Sequence, residues 1–493
     1  MRRFRRFRRR LFRFTLLTMA IILAIAVIKT ITFTSRQIPV EPLLKIPVED
    51  AVGNHLAEAV HYATVSYPGR IDTLAFIGLD TFLRQQFPLA DSLLESRMIN
   101  GFSRIYKWPG RNPKLAPILL LAHQDVVPVD EANEQEWSFP PFGNKVEDGY
   151  IWGRGTMDMK GMLMGMLEAI EQLLHEGYEP NRTIYLAFGH DEETLGEHGA
   201  QQIARAFQAE GLQFEFILDE GMMVIEDAMS GLSRPVAMIG VAEKGFTTLE
   251  VTARVEEAGH SSRPPKETAI GLLSRAIVRL EQNPFPARID GATASLFNYV
   301  GPEMNLFYKA LFANLWLTEG LVKRQLSADP STNTVIRTTT APTLINGGFK
   351  DNVLPSMATA MVNFRILPGE TVGSVVSYVQ EVIDDPHVSV TPSPGSTSED
   401  PSPVSGTRTF GFEVIQRTAQ EIYPDAVVAP ALFVALTDSR HYRELSAQAF
   451  RFSPMRIQRA DLPRIHGPNE RLSVEAYKDM IRFYRRLIEN SCK

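Results

Sequence analysis

Cysteine is all but missing from this chain: the one example, Cys492, is the last residue but one. No intrachain disulfide can form, and no cysteine cluster can hold a metal, so any metal falls to histidines and carboxylates. Acidic residues are missing from positions 1–13, where eight arginines stand (2, 3, 5, 6, 8, 9, 10 and 13). Without them the chain keeps 43 basic against 57 acidic residues, a net charge of −14. A body so acidic offers no broad footprint for nucleic acid, and the arginine head reads as a topology signal instead. The composition, 44% hydrophobic and 22% charged, is ordinary for a globular protein and excludes disorder as the main theme.

After the arginines an apolar run extends from Phe14 to Ile28, meets Lys29 and resumes at Ile31–Phe33. Counted from Leu11 to Phe33, with Arg13 and Lys29 snorkelling, it suffices for one membrane span of about 20 residues. The arginines favour a cytoplasmic N-terminus and an extracytoplasmic body. The alternative is a signal peptide removed on secretion, although no small-x-small cleavage site follows Lys29. Residues 1–35 therefore read as a basic head with an anchor. Residues 36–49, with Pro39, Pro42 and Pro47, read as a linker.

From residue 50 onward apolar strands alternate with helices, which predicts an α/β fold with a mostly parallel sheet covered by helices. Ile118–Ala122, Thr183–Gly189 and Phe214–Leu218 read as buried strands, and Gly161–His175 as a helix. Such sheets carry reactive groups at the carboxyl ends of their strands. Phe246–Val255 opens a different order: strand, helix (267–282), two strands (337–345 and 358–366), helix (372–383) and strand (388–391). That is a ferredoxin-like α+β domain inserted as a lid. The expected division is 50–243 for the first part of the catalytic domain, 244–395 for the lid and 396–493 for the rest of the catalytic domain. Within the lid, residues 285–326 form an insertion rich in Leu, Phe, Tyr and Trp. It is either core or an apolar surface for a bilayer or a fatty acyl chain.

Five segments carry chemistry: LLLAHQDVVP with His123 and Asp125, GRGTMDMKG with Asp158, AFGHDEETLG with Glu192 and Glu193, FILDEG with Asp219, and RIHGPNE with His466. Imidazoles and carboxylates suit zinc, whose catalytic sites leave a position open for water. A carboxylate two residues from a metal-binding histidine is placed to accept its second N–H. Taken singly, each segment has a plainer reading: a loop histidine, a solvated acidic turn, a helix N-cap at Asp158.

Together the five resemble the aminoacylase/carboxypeptidase S family of co-catalytic zinc enzymes, and within it the branch of secreted N-fatty-acyl-amino-acid synthase/hydrolases. EKG at 243–245, GHSSRPPKET at 259–268, NFRILPG at 363–369 and TDSR at 437–440 extend the likeness. The resemblance implies two zinc ions, with cobalt or manganese as alternatives. Asp158 would lie between them, His123 and Asp219 on one, Glu193 and His466 on the other. It further implies Glu192 as general base and Asp125 as partner of His123. His260 would polarise the scissile carbonyl, often from a partner subunit, so a homodimer through the lid is implied. Arg365, with Asn352, would hold the substrate carboxylate. Met159 stands where relatives often carry Asp. The implied substrate is an N-acyl amino acid, possessing a fatty acyl group if the apolar insertion receives it. A carboxypeptidase or dipeptidase acting on short peptides is the first alternative. A silent binding protein on the same scaffold is a second, opposed by the intact Glu192 and metal positions.

Overall fold

This computed structural model describes residues 2–41, 45–256 and 259–493, with the backbone alone for Arg2 and Arg3. Of the prolines in the expected linker, Pro42 lies outside the described residues. The larger sheet has eight strands, and its centre runs Ala449–Gln458, Ile217–Glu226, Ile118–His123, Ile184–Gly189. These four are mutually parallel, whereas Glu95–Ile99 and Ser103–Trp108 close one edge in antiparallel fashion. Strands 427–433 and 449–458, from beyond the lid, complete this sheet, so the chain leaves the catalytic body and returns to it.

Every residue of Ile118–His123 and of Ile184–Gly189 is buried, as expected for strands covered on both faces. One face is covered by the helix Lys160–His175 and, beside it, the C-terminal helix Val474–Ser491, which also packs on the strand Ala449–Gln458. Gly165 permits that approach, because a β-carbon there would come within 3.1 Å of Met480 Sδ. Fully buried Leu, Ile and Phe side chains contribute about 1.5–3 kcal/mol each, and this layer is built from them.

The lid is a separate four-stranded antiparallel sheet. In chain order its strands are Gly245–Arg254, Thr339–Gly347, Met357–Ile366 and Val388–Pro392, and they lie side by side as second, third, first, fourth. Helices Ala269–Gln282 and Val372–Ile383 pack on them around their own apolar core. This is the ferredoxin-like order expected from the sequence.

The apolar insertion divides into two layers. Leu296, Phe297, Tyr299 and Met304 are buried in the main core, whereas Leu306, Phe307, Trp316, Leu317 and Leu321 are exposed. The N-terminal helix Arg2–Thr32 contains a 29-residue stretch, Phe4–Thr32, long and apolar enough to cross a membrane.

Candidate metal centre

Two strand ends (His123 and the turn after Gly189), the strand Ile217–Glu226 and the His466 loop meet at the Asp158 turn. Its Oδ1 lies 3.1 Å from His123 Nε2, and its Oδ2 lies 3.0 Å from His466 Nε2. One carboxylate thus faces two imidazoles that are more than 300 residues apart in the chain. Glu193 Oε1 stands 3.4 Å from His466 Nε2 on one side, and Glu220 Oε1 stands 3.4 Å from His123 Nε2 on the other. Two groups result, His123–Asp158–Glu220 and Asp158–Glu193–His466, each with its donor atoms within 4.8 Å of one another.

Asp219 is expected here from its motif, but in the structure it is Glu220 that faces His123. The strand does not stop at Leu218 but runs on to Glu226, so side chains at 219 and 220 point to opposite faces. Asp219 shares its face with Ile217, which belongs to the cluster around Tyr442. There its carboxylate accepts hydrogen bonds from the Ser439 N–H (2.7 Å) and the Glu220 N–H (2.9 Å). Glu220 shares its face with Leu218, on the side covered by the helix that begins just after Asp158.

Asp158 is positioned by a residue the sequence reading did not single out. Glu470 is fully buried and its Oε1 accepts from the backbone N–H groups of Gly155 (2.9 Å), Met157 (2.9 Å) and Asp158 (3.3 Å). Its other oxygen pairs with Arg154 Nη1 at 2.5 Å, and Arg154 Nη2 donates to the His466 carbonyl at 2.9 Å. The same carboxylate therefore ties the Asp158 turn to the His466 loop. The turn needs Gly155, whose φ is +92° and whose β-carbon would meet Val126 at 2.7 Å. His466 itself holds a φ of +61°, a costly conformation for a non-glycine residue and one that concentrates at functional sites. The closing E of RIHGPNE was the signal available for Glu470.

Asp125 is buried beneath the pair. Its carboxylate accepts from the Ser66 hydroxyl (2.5 Å) and from the N–H groups of Glu192 and Glu193 (3.1 Å each). His123 Nδ1 is closer to the Asp125 carbonyl (2.9 Å) than to its carboxylate (3.4 Å). Asp125 thus fixes the loop that carries both glutamates as well as the histidine.

The electrostatics ask for positive charge. Burial, with Glu220 alongside, pushes Glu192 well above the usual carboxylate range. Burial also raises Glu220, with Asp158 adding to it, and raises Glu193 despite its contact with His466. Asp158 moves the other way in spite of burial, because the His123 and His466 rings hold its charged form. His466 is pushed up to about 10 by Asp158 and Glu193. Glu193 Oε1 is buried with no hydrogen-bond donor aligned on it. Converging carboxylates, an orphaned oxygen and two imidazoles fit a pair of cations, which would displace the histidine protons on binding. Glu192 belongs to neither group.

The lid residues lie apart from one another. His260 is exposed on the short strand Gly259–His260, and Ser261 beside it donates its N–H to the Asn352 carbonyl at 3.1 Å. Arg365 sits near the opposite end of the lid sheet, opposite Phe246 and next to the junction with the catalytic body. From Met357 to Arg365 the strand covers about 27 Å at about 3.4 Å per residue. Within one chain, His260 and Asn352 thus sit at one end of the lid and Arg365 at the other.

Residues 119–490 match the family described as peptidase family M20/M25/M40. Carboxypeptidase S-like 2 of Dictyostelium discoideum is 41% identical over 486 residues, spanning 96% of this chain and 92% of that protein. The N-fatty-acyl-amino acid synthase/hydrolase of Xenopus tropicalis is 40% identical over 441 residues, spanning 88% of this chain and 85% of that protein. An M20 family metallo-carboxypeptidase from Sulfolobus solfataricus has the same fold, with a TM-score of 0.63 at 18% identity over 90% of this chain and 99% of that one.

Proposed function

Because the chain belongs to peptidase family M20/M25/M40, we propose that it uses two zinc ions to hydrolyse, and in reverse to form, the amide bond of N-fatty-acyl amino acids. The observation that carries this reading is Asp158, with one oxygen toward His123 and the other toward His466. In this reading His123, Asp158 and Glu220 hold one ion, and Asp158, Glu193 and His466 the other; cobalt or manganese would fit the same donors. When bound, the ions supply Lewis acidity and bring the pKa of water toward neutrality.

The chain's own groups do the rest. Glu192, outside both ligand groups but beside Glu193, takes a proton from the attacking water and delivers it to the departing amine. Arg365, half-buried against Phe246, pairs with the substrate carboxylate, and Asn352 assists. His260 donates to the carbonyl oxygen as charge develops there. The separation of His260 from Arg365 supports a homodimer in which one lid serves the partner's site. So does the outer lid strand Thr339–Gly347, exposed along most of its length, with Leu344, Ile345 and the following Phe349 uncovered.

The N-terminal helix supports an anchor with the body outside the cytoplasm; cleavage as a signal would instead release it. Carboxypeptidase action on short peptides is the second reading, favoured by the carboxypeptidase S-like relative. A panel of N-oleoyl, N-acetyl and dipeptide substrates separates the two. The fatty-acyl reading expects kcat/KM at least about tenfold higher for N-oleoyl than for N-acetyl amino acids, several buried methylenes each contributing about 0.8 kcal/mol. Equal values, or faster dipeptide cleavage, would reject it.

A further inference from the structure

We propose that the segment 306–321 is a membrane-contact surface, lying in the bilayer boundary on the side of the catalytic body, next to the N-terminal span. This rests on reading Phe4–Thr32 as a span. Two short helices build the surface, Leu306–Ala313 and Leu315–Ser327. Their inner sides are anchored: Leu311, Phe312 and Leu315 pack on the core, and Phe312 stacks on Phe297 with ring centres 4.4 Å apart. Their outer side is apolar and uncovered, with Leu306 74%, Phe307 68%, Leu321 60%, Leu317 56% and Trp316 48% exposed. Five large side chains gathered so closely are not ordinary surface scatter.

The N-terminal helix identifies what covers them. Buried Asn314, between the two helices, donates through Nδ2 to the Ala26 carbonyl and the Thr30 hydroxyl, both at 3.1 Å. Lys29 Nζ stands 5.6 Å from the centre of the Trp316 ring, and a β-carbon at Gly301 would strike the Phe33 ring at 2.6 Å. The insertion is therefore fixed to the last two turns of the span. A hydrocarbon core about 30 Å thick takes about 20 helical residues at about 1.5 Å each. Counted from the last arginine of the head, Arg13, it ends near Phe33. Thr30 then lies about 5 Å and Ala26 about 10 Å inside the boundary. That is the depth to which interfacial helices bury their apolar faces, and tryptophan belongs at that level. Lys309 and Arg324 add basic residues of the kind such helices carry, whereas Lys323 is paired with Glu319 at 2.6 Å.

The test uses the full chain in phosphatidylcholine vesicles whose acyl chains carry bromine near the headgroup, which quenches tryptophan on contact. The emission that Trp316→Phe removes should be quenched by half or more in protein that floats with the vesicles. Leu306→Asp combined with Phe307→Asp should still float, held by the span, while quenching of Trp316 falls at least twofold. Unquenched Trp316 in floating protein would overturn the proposal and leave the anchor standing. Protein that fails to float would overturn both. A dimer that dissociates on Leu317→Asp, with Trp316 unquenched, would assign the surface to a second copy and also refute the proposal.

Discussion

At the scale of the residue, the contrast between Asp219 and Glu220 is the sharpest. Asp219 is buried and Glu220 half-buried on one strand, but the first is consumed by two backbone N–H groups and the second faces His123. Glu220→Gln should lose one of two bound metals in elemental analysis after dialysis at limiting free metal. Asp219→Ala should keep both metals and lose stability, since each orphaned N–H costs about 1–3 kcal/mol, read as a lower denaturation midpoint. The reverse pattern would return Asp219 to the metal. The motifs made His123, Asp158, Glu193 and His466 legible because a strand end or a glycine turn flags each one. Glu220 was not, because the strand appeared to end at Leu218, and alternation is useless where the strand is thought to have stopped. Glu470 shows in the sequence only as the closing acid of RIHGPNE, which does not tell a buried acceptor of backbone N–H groups from a solvated acid.

At the scale of the element, the catalytic sheet and the lid join at Glu243–Gly245. Glu243 pairs with Arg451 at 3.1 Å, both nearly inaccessible, and accepts from the Thr437 hydroxyl at 2.6 Å. Thr437 opens the turn whose Ser439 N–H holds Asp219. Removing one member leaves the other charge buried alone. Glu243→Ala should therefore cost about 3–5 kcal/mol in denaturant unfolding. A loss below about 1 kcal/mol would mean that the junction does not depend on the pair. Periodicity made the strands Ile118–His123 and Ile184–Gly189, the helix Lys160–His175 and the elements of the lid readable, and the Val372–Ile383 helix matches its expected limits. The helices at 52–86 and every element from Phe410 onward were not assigned from it. The edge strands were not, since Glu95–Ile99 is mostly exposed and lacks a continuous apolar run. The insertion was readable only as apolar: nothing in its composition tells buried Phe297 from exposed Phe307.

At the scale of the whole molecule, the lid raises the question of which chain completes which site. If His260 comes from one subunit and Arg365 from the other, two inactive variants can rescue each other. His260→Ala mixed one to one with Arg365→Ala, allowed to exchange subunits, should regain about one quarter of wild-type activity, because half the dimers then hold one intact site of two. No recovery despite verified exchange would mean that one and the same chain supplies both residues to a given site. Fold class and lid topology were legible at this scale because alternating elements leave few arrangements. A subunit pairing is implied by the family resemblance alone, because a symmetric interface leaves no periodic trace in a sequence.

The central claim is that carboxylates and imidazoles gathered at Asp158 hold two cations while Glu192, among them but not of them, moves the proton. Glu192→Gln tests it most directly, with metal content and turnover measured on the same preparation. The account predicts two metals per chain and a kcat lower by about 10²–10⁴-fold. Two metals with undiminished turnover, or a metal lost along with the activity, would contradict it.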